Sequence, residues 1–133
     1  MAKKQDSTKL FDVRVVDHKD QRYPTVGDWI IEDGKLTEIR VSDMGNPDYE
    51  FLVGLHEAIE AWLCLKRGIT EESVSRFDKK FEKNRKPGNV AEPGNDPMAP
   101  YFNEHQFATH IEKMLAREMG IDWKKYSDVV DNL

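Results

Sequence analysis

The spacing of apolar residues changes character along the chain, and each change marks an element. From Leu10 to His18 the run LFDVRVVDH partly alternates, which places Phe11, Val13 and Val15 on one face of a strand. WIIE and KLTEIRVS flank Asp33-Gly34, a pair that supplies the positive φ values of a two-residue hairpin turn. Three antiparallel strands are therefore expected across residues 10–43. Asn46 and Pro47 then read as the N-cap and first position of a helix that stops at Gly68. Thr70 caps a second helix with a thin apolar stripe of Val74, Phe77 and Phe81; its acidic start and basic end suit the helix dipole. A third helix runs from about Asn103 to Glu118 and ends at Gly120, and a short fourth starts near Asp122. Between them, residues 85–100 hold four of the six prolines and read as a long loop, either a lid or a crossover. The expected fold class is α+β, a three-stranded antiparallel sheet followed by three to four helices in a single domain of residues 1–133, with residues 1–9 polar and frayed.

The first helix breaks its own apolar pattern in an informative place. In FLVGLHEAIEAWLCL, Phe51 to Leu65, only His56, Glu57 and Glu60 are polar, and apolar side chains wrap nearly the whole circumference. Such a helix should be buried, and an unpartnered buried carboxylate costs several kcal/mol. His56 and Glu60 are four residues apart, so they lie about 40° apart around the axis and one turn apart along it. Side chains so placed can grip one ion, while Glu57 points roughly 100° away, toward the neighbouring flank. The spacing is that of H-E-x-x-H metal helices, with a Glu in place of the second His.

Tight binding needs at least one further ligand. The third helix, NEHQFATHIEKMLAREM, offers candidates. If Phe107, Ala108, Ile111, Met114 and Leu115 define its buried arc, Glu104 falls inside that arc and His105 and Glu112 lie on one border. His105 is then the first candidate, with Glu104 or Glu112 next; His110 falls on the opposite border and reads as a surface residue. Asp78 and Glu82, four apart beside Phe77 and Phe81, are a further carboxylate pair that more often lines the wet edge of a helix. The bland alternative pairs His56, Glu57 and Glu60 with Arg67, Arg76 or Lys113 in a buried polar network.

Composition narrows the functional classes. A net charge of −5 disfavours a general nucleic-acid binder. Cys64 is the only cysteine, so no internal disulfide forms. The start, MAKKQDSTKLFDV, lacks the apolar segment of a signal peptide, and no apolar run reaches the ~18 residues of a membrane span. A cytoplasmic protein is expected.

On LHEAIEAWL and the order of elements over about residues 28–118, the chain resembles a small zincin, the H-E-x-x-H class of metallopeptidases. The resemblance implies that His56 is a zinc ligand and Glu57 the general base. Glu60 stands where that class has its second His, and a carboxylate there makes the site harder and friendlier to Mg²⁺, Mn²⁺ or Fe²⁺. EHQFA is similar to the third-ligand helix of small gluzincins encoded with phage repressors, although the Glu of that family sits one residue earlier relative to Phe-Ala. Either Glu104 or His105 can take the role. The expectation is a divalent-metal protein, zinc first, that hydrolyses an amide, peptide or phosphoester. Two alternatives stand beside it. One is a magnesium-dependent nucleotide phosphohydrolase using Glu57, Glu60, Asp78 and Glu82. The other is a non-catalytic phage-type interaction or assembly protein, with Trp29, Trp62, Trp123, Tyr23 and Tyr101 as aromatic surface for a protein partner.

Overall fold

The computed structural model describes residues 7–133; the expectation for residues 1–9 falls largely outside them, and residues 7–9 carry no regular structure. Strands β1 (Asp12–Val16), β2 (Gly27–Glu32) and β3 (Lys35–Ser42) form one sheet, followed by helices α1 (Pro47–Lys66), α2 (Glu71–Lys83), α3 (Phe102–Glu118) and α4 (Trp123–Asp131). Short 3₁₀ turns occupy His18–Asp20 and Pro93–Asn95. Asp33 and Gly34 turn the hairpin with φ of 52° and 74°, the left-handed pair that matches the natural strand twist.

The sheet is mixed, not antiparallel throughout. Its order is β1-β3-β2, with β2 antiparallel to β3 and β1 parallel to it. The hairpin claims one edge of β3, so β1 is left with the other, and the polar stretch after β1 must carry the chain across the end of the sheet. That crossing is fastened to the end of β3. The Gln21 amide donates to the Arg40 carbonyl at 3.3 Å and to Ser42 Oγ at 3.2 Å, and His18 Nδ1 lies 2.8 Å from the same hydroxyl. A bulge between Ile30 and Ile31 leaves Thr37 as the extra residue on β3, which lets Leu36 and Ile39, of opposite parity, both face the core.

Caps set the helix boundaries as the sequence implies. Asn46 accepts from Tyr49 N–H, Thr70 from Ser73 N–H and Asp122 from Lys125 N–H. The core lies between β3 and α1, where Ile39, Val41, Leu52, Ala61 and Cys64 are fully buried. Two expectations of burial are corrected. Helix α1 is one-sided, with Phe51 58% and Trp62 40% exposed, and its inner face includes His56 and Glu60. On α3 the inner stripe is His105, Ala108, Glu112 and Ala116, while Phe107 and Met114 face outward. The small Ala108 and Ala116 permit close approach to α1, and each inward polar group finds a partner there, which removes the penalty for burying it. Among the described residues no helix is long and apolar enough to cross a membrane.

Candidate metal centre

Helices α1 and α3 pack so that three donor atoms converge. His56 Nε2, Glu60 Oε2 and His105 Nδ1 stand 3.0, 3.1 and 2.8 Å apart as the His56–Glu60, His56–His105 and Glu60–His105 pairs. All three residues are buried. The outer nitrogen of each imidazole is already committed. His56 Nδ1 donates to Glu112 Oε1 at 2.7 Å, and His105 Nε2 donates to Glu92 Oε2 at 2.9 Å. With those protons placed, the neutral tautomers turn their lone pairs inward, toward each other and toward a carboxylate oxygen. Three acceptors meeting at one point could hold a cation between them.

The geometry suits a metal ion. Tetrahedral ligands with bonds near 2.0–2.2 Å sit roughly 3.3 Å apart, so an opening of a few tenths of an ångström suffices. Trp29 Nε1 donates to Glu60 Oε1 at 3.3 Å, which holds that oxygen aside and leaves Oε2 as the single donor. Glu112 is fixed in turn by the hydroxyl of Tyr126. Two carboxylate–imidazole pairs behind the ligands form the outer shell that orients metal-bound histidines. Two imidazoles with one carboxylate are a ligand set of zinc hydrolases and of non-haem iron sites, and nitrogen donors favour such ions over magnesium.

The electrostatics express the same demand for positive charge. Burial pulls the His56 imidazole down, but hydrogen bonds to Glu112 and Glu60 prevail and hold it well above its usual range. His105 is opposed by burial and raised by Glu60 and Glu92 to about 9. Glu60, despite burial, is drawn down to about 2 by bonds from the two histidines. In the metal-free cluster protons supply this charge, and a bound cation replaces them.

Glu57 stands apart from the triad. It is half-buried, and among the described residues its carboxyl makes no hydrogen bond. Burial and the nearby Glu60 charge raise its carboxyl well above the usual range. Its methylene lies against Gly27, where an added Cβ would come within 2.6 Å of Glu57 Cγ; only glycine leaves room for it. His56, Glu57, Glu60 and His105 all line a cavity of ~330 Å³, within the range of small-molecule sites. The loop between α2 and α3 covers one side. It delivers Glu92, and it lays Gly94 on the His105 ring, so that a Cβ there would meet the imidazole Cγ at 2.4 Å.

The structure distributes the candidate residues among distinct roles. His56, Glu60 and His105 come together as donors. Glu112 contacts His56 Nδ1 from behind, and Glu104 is taken by Arg67 at 2.7 Å. His110 is exposed. Asp78 accepts from the hydroxyls of Tyr101 at 2.5 Å and Tyr23 at 3.5 Å, and Glu82 grips Arg85 at 2.7 Å. Trp29 and Tyr101 are buried and so are not interface surface, whereas Trp62 is partly exposed. Glu92 escaped the sequence reading because nothing periodic in a proline-rich loop marks an inward carboxylate. The one available signal was its place just before Pro93-Gly94, a turn that can approach a helix closely. No known protein family, curated protein or solved structure matches the chain.

Proposed function

We propose that the protein is a metal-dependent hydrolase, with zinc as the first candidate ion at His56, Glu60 and His105. The observation that carries this reading is the convergence of three inward donors, two of them imidazoles whose outer nitrogens are anchored by Glu112 and Glu92. A metal held by these three residues would lower the pKa of a bound water to roughly 7. Glu57 supports catalysis over a purely structural ion. It is a carboxyl at the cavity wall, beside the triad but outside the donor set, with no protein hydrogen bond to satisfy it. It can take a proton from the nucleophile and return it to the leaving group.

The test begins with zinc-loaded protein screened on fluorogenic peptide and ester libraries. Glu57→Gln should keep its zinc and its fold while turnover drops about 10²–10⁴-fold. Zinc failing to bind, or Glu57→Gln turning over like the wild type, sinks the reading. Zinc bound with no turnover of any substrate makes the ion structural.

A further inference from the structure

We infer that the cavity beside the metal centre takes a substrate bearing a cationic group, a peptide or amide with a guanidinium or ammonium side chain, and seats that cation against Asp78. The reaction part of this statement rests on the hydrolase reading; the binding part does not.

The charge lining the cavity is one-sided once internal pairs are removed. Glu82 is spent on Arg85, whose guanidinium also donates to the carbonyls of Asn89 and Ala91. Arg85 is therefore not free to receive an anionic group, and no other lysine or arginine lines the cavity. Glu57 and Asp78 remain on the wall, neither paired with a lysine or arginine among the described residues, while Asp131 is partly offset by Arg85. A divalent ion in the triad does not reverse this balance, because Glu60, Glu112 and Glu92 already surround it with three carboxylates. A phosphoester or a carboxylate entering here meets unopposed negative charge at short range.

Shape and wall chemistry add a second, independent indication. Asp78 is 7% exposed and sits between Tyr23 and Tyr101, which also line the cavity. A carboxylate flanked by aromatic rings combines charge-assisted hydrogen bonding with cation–π contact, and arginine side chains exploit both. Burial already raises Asp78 to about 7, so its anionic form lacks a full complement of partners, which a guanidinium supplies. Glu57, with its unbonded carboxyl beside the triad, lines the same cavity. The cation would be anchored at Asp78 with the scissile bond presented to the triad and Glu57.

Calorimetric titration of the zinc-loaded full chain tests this directly. The probes are argininamide and citrullinamide, both acetylated at the α-amino group so that only the guanidinium of the first is charged, and phenyl phosphate. Argininamide should bind on the order of tenfold or more tighter than citrullinamide, the effect of one charged hydrogen-bonded pair, and phenyl phosphate weakest of the three. Asp78→Asn should abolish the difference between the two amides. Equal binding of the amides, or tightest binding of phenyl phosphate, overturns the proposal. Should Asp78→Asn not fold, the amide comparison on the wild type decides alone. Argininamide binding without turnover of any arginine-containing peptide overturns the hydrolase reading and leaves the cation seat standing. Turnover of peptides indifferent to arginine, alanine or glutamate does the reverse.

Discussion

On one side of the centre, His56 leans on Glu112, which Tyr126 holds in place; α1, α3 and α4 supply the three residues, and the Glu112 side chain is 10% exposed. On the other side, His105 leans on Glu92, which belongs to the loop before α3 and has a side chain 45% exposed. The chemistry behind the two imidazoles is the same, but the supports differ. A carboxylate on packed helices moves only if the core moves. One on a loop can leave while the helices stay as they are, so the Glu92 support should separate more readily than the Glu112 one.

Removing a ligand is the harshest way to break this arrangement. His56→Ala should abolish stoichiometric zinc binding and leave the buried Glu60 and Glu112 each short of one partner, a loss of about 3 kcal/mol in the metal-free protein. Elemental analysis and thermal melts would show it, and retained zinc would exclude His56 as a donor. The next comparison separates the two supports. Glu112→Gln and Glu92→Gln should each weaken zinc binding within the roughly 10–100-fold range of outer-shell changes, with Glu112→Gln the larger. Only Glu112→Gln should also lower the melting temperature, because it disturbs the buried bond to Tyr126. Equal effects on zinc and on melting would mean that the loop is as fixed as the helices. Gly94→Ala shares the smaller of these two effects. Its methyl would push the loop off the His105 ring and with it Glu92, so the affinity loss should match that of Glu92→Gln. The double variant should add less than about 0.5 kcal/mol beyond either single change, since both act through one contact. Full additivity by competitive metal titration would show that Gly94 acts by some other route.

Features set by near neighbours were legible in the chain. The Asp33-Gly34 turn, the caps at Asn46, Thr70 and Asp122, and the meeting of His56 with Glu60 each depend on residues within about one turn of one another. The pairing of α1 with a third helix bearing His105 was foreshadowed because polar groups interrupting an apolar helix call for partners elsewhere. The rotation of α3 was not. Its apolar residues suggest an arc through Phe107 and Met114, yet those two are exposed and the helix turns its His105–Ala108–Glu112–Ala116 stripe inward.

What the sequence by itself determined, then, was the set of elements, their ends, and the His56–Glu60 pair on α1. Only the tertiary structure decided that β1 runs parallel to β3, that Glu104 turns to Arg67 while Glu112 backs His56, and that Glu92 reaches His105 from a loop. The physical reason is range. Turns, caps and i,i+4 pairs are closed by a few adjacent dihedral angles. Strand direction, helix rotation and loop seating are settled by which distant partners satisfy each buried polar group at once, and no local pattern records that choice.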